Sequence, residues 1–169
     1  MLTLPLSFRT MITDSDINIA IAGPEDLTDI HDVFRRAIEN TNAKDYTPEQ
    51  RSIWLESAND RERWLKKIEQ QYFIMARSRE SVAGFASLES HTYIDLMYVH
   101  PAHAGKGIGK QLISRLEDVA RSGGSTTLVA DVSITAIAFF RKQGFEIDHR
   151  NVRIIKGVEI INYRMMKYL

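Results

Sequence analysis

The chain has 169 residues, 44% of them hydrophobic, which suits one domain with a sizeable core and excludes global disorder. Its 22 basic and 22 acidic side chains cancel, which excludes a nucleic-acid partner recruited by bulk charge. The sequence contains no cysteine, which excludes a disulfide framework, a thiolate nucleophile and a cysteine-based metal site.

Residues 1–15 read as an N-terminal extension, disordered in expectation, with Met11 as an alternative to Met1 as the start. The opening Met1-Leu2-Thr3-Leu4-Pro5-Leu6 lacks the basic region and long apolar core of a signal peptide. No run approaches the ~20 apolar residues of a membrane span, so the expected location is the cytoplasm, with no membrane partner. Asn18 to Ala22 reads as a first strand, and Gly23-Pro24-Glu25-Asp26 as a helix start. Leu27, Ile30, Val33, Phe34, Ala37 and Ile38 then recur at helical spacing. Asn40 to Lys44 breaks that pattern, and Thr47-Pro48-Glu49-Gln50 is a capping box that opens a second helix. Asp60 caps a third helical segment carrying Trp64, Leu65 and Ile68. Tyr72 to Ala76 and Val82 to Leu88 read as a hairpin around the turn 78–81, and Tyr93 to Val99 as the next strand.

That strand runs into Pro101-Ala102-His103-Ala104-Gly105-Lys106-Gly107-Ile108-Gly109-Lys110, and then into an amphipathic helix with Ile108, Leu112, Ile113, Leu116 and Val119 on one stripe. A strand, a glycine-rich loop and a helix N-terminus aim backbone N–H groups and the positive end of a helix dipole at one spot, where a phosphate fits. Gln111 after Lys110 rules out a Walker loop, and Gly-x-Gly-x-Gly is not the Rossmann spacing. Further on, Thr126 to Val132 reads as a strand and Thr135 to Lys142 as a short helix. Phe145 to Leu169 reads as two strands around Lys156-Gly157.

Val99-His100-Pro101 followed by Ala104-Gly105-Lys106-Gly107-Ile108-Gly109 resembles the acetyl-CoA pyrophosphate loop of the GNAT superfamily of N-acetyltransferases. Ala104 departs from the Gln or Arg usual at the first position. The run Ser133 to Phe145 resembles the family's Asn-x-x-Ala-x-x-Phe-Tyr-x-x-x-Gly-Phe segment through Ala136, Phe139, Gly144 and Phe145. Ser133 replaces the Asn, and Phe140 replaces the tyrosine that often protonates the departing thiolate. The element order resembles the GNAT fold from about Asn18 onward. The expected class is α+β: a mixed, mostly antiparallel sheet with helices on both faces, forming a single domain over residues 16–169.

The resemblance implies acetyl-CoA as co-substrate. Its pyrophosphate would sit on residues 104–110, with Lys106 and Lys110 neutralising charge. Its pantetheine would lie along a bulged strand edge at Met97, Tyr98 and Val99, with Ser133 and Phe140 beside it. Plain alternatives for these residues are a ligand-free turn with solvated lysines, an ordinary core strand, and a helix that merely packs the sheet. The acceptor is expected to be a primary amine of a small molecule or peptide, and a homodimer stays open. A general base is needed, because an ammonium must lose its proton before attack. Asp95 is the only acid within its strand, and strict alternation puts Tyr93, Asp95 and Met97 on one face. Asp95 is the expected base and Tyr93 the expected assistant; a structural carboxylate is the alternative for Asp95. Tyr46, Trp54 and Trp64 could wall the acceptor site, or pack the core. The five histidines show no metal-ligand spacing, and no metal is expected. The competing function is a non-catalytic module that senses acyl-CoA or docks a protein.

Overall fold

Seven strands form one sheet in the order β1-β2-β3-β4-β5-β7-β6 in the computed structural model, which describes residues 17–79 and 81–169. The expected extension over 1–15 and the alternative start at Met11 lie outside the described residues. The strands are β1 (Asn18–Ile21), β2 (Tyr72–Arg77), β3 (Val82–Glu89), β4 (Tyr93–Val99), β5 (Thr127–Ser133), β6 (Glu146–Ile155) and β7 (Val158–Tyr168). Every neighbouring pair is antiparallel except β4 and β5, which run parallel. The helices are α1 (Leu27–Asn40), α2 (Pro48–Glu56), α3 (Arg61–Gln70), α4 (Ile108–Ser122) and α5 (Ile137–Lys142).

Each boundary has a local cause. Thr47 Oγ1 accepts the Gln50 N–H and Gln50 Oε1 accepts the Thr47 N–H, so the capping box forms and Pro48 opens α2. The Asp60 carboxylate accepts the Arg63 N–H at 3.1 Å and starts α3. Lys156 and Gly157 both have positive φ, 51° and 78°, and join β6 to β7 as a two-residue hairpin loop.

The sheet carries a core on each face. Ile108, Leu112, Ile113 and Leu116 of α4 pack with Phe140 and Phe145 against Ala86, Leu88, Ile94, Leu128, Ala130 and Val132. On the opposite face the α1 stripe of Leu27, Ile30, Val33, Phe34 and Ile38 packs with Trp64 of α3 against Phe73, Met75 and Phe85. Fully burying one such side chain stabilises the fold by ~1.5–3 kcal/mol, so the two stripes fix the sheet between two helical layers. Trp64 is 3% exposed and stands edge-on to Phe34, which places it in this core and away from an acceptor wall.

Two irregularities of β4 give the sheet its cleft. Ser87 pairs with Leu96 but Leu88 pairs with Ile94, so Asp95 is an extra residue, a β-bulge. The bulge breaks the alternation expected from the sequence. Leu96 and Tyr98 join the α1–α3 side, on which Asp95 contacts α3, while Ile94, Met97 and Val99 pack on the α4 side. Met97 therefore does not share a face with Asp95. In addition, β4 and β5 pair only at Tyr93–Val129 and Ile94–Ala130, and above that point the strands part.

Candidate active site

A cleft of about 410 Å³ opens where β4 and β5 separate. Of the residues singled out in the sequence, Asp95, Met97, Tyr98 and Val99 line it from β4, and Ala104, Gly105, Gly107, Ile108, Gly109 and Lys110 from the loop and α4. Ser133 and Phe140 line it from β5 and α5. Tyr93 and Lys106 lie outside this lining.

The loop is built to face an anion. Gly105 and Gly107 take φ of 75° and 79°, a left-handed backbone that a side chain would strain, and Gly107 is the N-cap of α4. A Cβ at either position would meet nothing within 4 Å, so open space lies over both residues. The first turn of α4 has no intrahelical partners for its N–H groups. Open space, donors and dipole together fit a pyrophosphate. Gly109 is glycine for a different reason: a Cβ there would come within 2.8 Å of Phe139 Cζ, so it lets α5 approach α4.

Asp95 stands at the bulge, 17% exposed at its side chain. The Lys67 ammonium pairs with its Oδ2, and Gln71 Nε2 donates to the same oxygen at 2.8 Å. Among the described residues no hydrogen bond falls on Oδ1.

Tyr93 belongs to a second cluster. Its hydroxyl donates to Asp131 Oδ2 at 3.1 Å. Arg164 grips both oxygens of Asp131, Nε to Oδ1 at 2.7 Å and Nη2 to Oδ2 at 3.0 Å, and Asn151 Nδ2 donates to Oδ1 at 2.9 Å. Burial alone would raise the Asp131 carboxyl; Arg164, Tyr93 and Asn151 outweigh it and hold the group below its usual range. Burial first, and then the Asp131 charge, pushes the Tyr93 phenol up to about 12, so near neutrality it is a proton donor. Burial likewise raises the Tyr98 phenol. Asp131 escapes a motif search, although it is visible as the one charge in a strand whose Leu128, Ala130 and Val132 alternate inward.

A further wall of the cleft comes from the first two helices and the turn between them. Trp54 lines the cleft with Ala37, Thr41 and Asn42. Tyr46 does not line it. Its hydroxyl accepts the Ile134 N–H at 2.9 Å and donates to the Ile161 carbonyl at 2.7 Å, fastening the segment before α2 to the turn after β5 and to β7. Apart from His100 and His103, whose rings stand edge-on 6.0 Å apart, the histidines are dispersed. His100 Nδ1 accepts the Ala102 N–H, His31 stands edge-on to Trp64, and His149 contacts Asp148. Among the described residues no group of three or more potential ligands could hold a metal, and no helix is long and apolar enough to cross a membrane.

Comparison with known proteins agrees with this geometry. Residues 42–167 match the acetyltransferase (GNAT) domain family, well over half of the chain. The uncharacterised N-acetyltransferase YafP of Escherichia coli is 29% identical over 151 residues, covering 89% of this chain and 95% of that protein. The L-amino acid N-acyltransferase MnaT of Escherichia coli is 30% identical over 129 residues, covering 69% of this chain and 70% of that protein. The crystal structure of a GCN5-related N-acetyltransferase from Rhodopseudomonas palustris, also described as a class-II aminotransferase, superposes with a TM-score of 0.88 at 33% identity. That match covers 94% of this chain and 99% of that one. A parted parallel strand pair, a glycine loop at a helix N-terminus and a family match across both make this chain a member of the GNAT superfamily, an N-acetyltransferase with acetyl-CoA as co-substrate.

Proposed function

We propose that this single domain, residues 16–169, transfers the acetyl group directly to a primary amine held at the Asp95 end of the cleft, in the cytoplasm. The acceptor is a small molecule or peptide, with amino-acid-like amines the first class to test. A homodimer is compatible with the reading, whereas a nucleic acid is not part of it. The co-substrate supplies an acetyl thioester; the chain supplies position and proton transfer. With no cysteine in the sequence, transfer has no thiol of the protein to pass through.

Backbone groups of Met97, Tyr98 and Val99 face the parted region and would hold pantetheine as an added strand does, with Ser133 and Phe140 alongside. Residues 104–110, including the Lys106 and Lys110 charges, would hold the pyrophosphate. The observation that carries the chemistry is the arrangement at Asp95. Lys67 and Gln71 both occupy Oδ2, which locks the carboxylate in the cleft wall and leaves Oδ1 to take the amine's proton. Tyr93 assists from the side by fixing Asp131, from the joined end of β4 and β5, rather than by accepting a proton. Phe140 carries no acidic proton, and the departing thiol, unperturbed at ~8.5, leaves as thiolate near neutral pH.

Asp95→Asn tests this reading. It keeps the shape of the side chain and removes proton acceptance. Turnover of amines, followed by thiol release, is expected to fall roughly 10²–10⁴-fold while acetyl-CoA affinity holds. The lost partner of Lys67 also lowers stability, so rate is read per folded molecule. Full turnover in folded Asp95→Asn would move the proton to water or to the substrate.

A further inference from the structure

The acceptor end of the cleft contains polar groups with no hydrogen-bond partner among the described residues. Asn42, on the 3-10 turn Thr41–Lys44, is 6% exposed and lines the cleft. Its backbone carbonyl takes the Asp45 and Tyr46 N–H groups, but its side-chain amide makes no hydrogen bond among the described residues. Thr135, on the 3-10 turn Ile134–Ala136, also lines the cleft, and its buried Oγ1 has no partner among the described residues. The two turns pack against each other, and the Tyr46 hydroxyl, just beyond the first of them, is tied to the second through the Ile134 N–H. Buried polar atoms are nearly always bonded in native folds, so the orphaned Thr135 Oγ1 and the unbonded Asn42 amide in the same cavity wall mark a place for a ligand's polar group.

The charges around them restrict that group. The cations lining the cleft, Lys110 and His103 when protonated, stand at the phosphate loop. The acceptor end presents Asp95 and Asp131, and their cations, Lys67 and Arg164, are absent from the cleft lining. An ammonium is welcome there. Lys67 and Arg164 are already engaged by these carboxylates, so a second anionic group on the acceptor would lose its hydration there and find no cation left in the cleft lining. Asn and Thr side chains each donate and accept, which matches a neutral carbonyl, amide or hydroxyl.

We propose that Asn42 and Thr135 form an uncharged recognition pair, and that the preferred acceptor is a primary amine whose other polar function is neutral rather than a free carboxylate. The inference rests on the amine-acetylating function proposed for the cleft and narrows its substrate class.

The test compares each L-amino acid with the corresponding amino alcohol, for example leucine with leucinol, whose amines are of similar basicity. Alkylamines of the same length serve as a third arm. Acetyl-CoA consumption is read as kcat/KM. The wild type is expected to favour the alcohol over the acid at least tenfold, and over the alkylamine. Asn42→Leu and Thr135→Val, close in shape, are expected to erase the advantage over the alkylamine while melting near the wild-type temperature. A wild-type preference for the carboxylate, or variants that slow all three arms equally, would overturn the inference and leave amine acetylation standing. No turnover of any amine in the three arms or a wider amine panel would instead overturn the function beneath it.

Discussion

Arg164→Met isolates the pair that braces the acceptor side of the sheet. In the native chain Asp131, 8% exposed at its side chain, is gripped at both oxygens by Arg164. Removing one partner of a fully buried pair costs about 3–5 kcal/mol. Arg164 is itself 35% exposed, and Arg153 stands 3.8 Å from Asp131 and can partly replace it. Solvent screening and that substitute reduce the expected loss to about 2 kcal/mol. For a chain of this size the melting temperature then falls by roughly 4–8 °C at pH 7. The pH dependence gives a sharper check. Asp131 is held below its unfolded value of ~3.9, so its contribution is full above that value and is lost as pH falls through the folded one. In Arg164→Met, burial outweighs the weaker partners and the carboxyl rises, so the variant no longer has this contribution to lose. The gap between wild type and variant should therefore narrow as pH is lowered from 7 towards 3. Thermal melts at several pH values, with Asp131→Asn alongside to complete a double-mutant cycle, read it directly. A gap that is constant with pH, or below about 1 °C at pH 7, would refute this account of the pair.

Gly107→Ala places a side chain at φ 79°, costing ~1–2 kcal/mol of stability, and it intrudes on the open space over the loop. Calorimetry is expected to show weaker acetyl-CoA binding in a protein that still folds; unchanged affinity would place the phosphates elsewhere. Tyr46→Phe strands the Ile134 N–H and the Ile161 carbonyl, so a loss of about 1–3 kcal/mol is expected in denaturant unfolding, together with faster amide exchange at Ile134. Unchanged exchange there would show that the bridge does not hold the two turns together.

Much of this molecule is legible in its sequence because local chemistry decides it. The α1 stripe, the Thr47–Gln50 box and the Lys156-Gly157 hairpin each follow from neighbours within a few residues. The loop glycines at 105 and 107 fall in the same class. What alternation misassigns is the face of Met97. Around Asp95 the run Ile94, Leu96, Met97, Tyr98, Val99 is apolar on both faces, so no polar marker reveals an inserted residue, and the register is visible only once β3 is paired. Tyr46 is illegible for another reason. Its partners lie 88 and 115 residues away, and in sequence it looks like any aromatic that could face a substrate. Asn42 reads only as a break between helices, because burial is what gives it meaning.

The two rungs that join β4 to β5 have a mechanical consequence. Besides its outer edges at β1 and β6, the sheet has two inner edges, where the upper parts of β4 and β5 face each other across the cleft. Unpaired edges ordinarily invite another chain. Here those edges line the cleft, so the same exposed backbone that would be a liability on the rim is turned inward, towards a ligand-sized space. β1 to β4 and β5 to β7 are joined by strand pairing only at Tyr93–Val129 and Ile94–Ala130, so a strand-like molecule seated between them would add the backbone hydrogen bonds that the sheet lacks there.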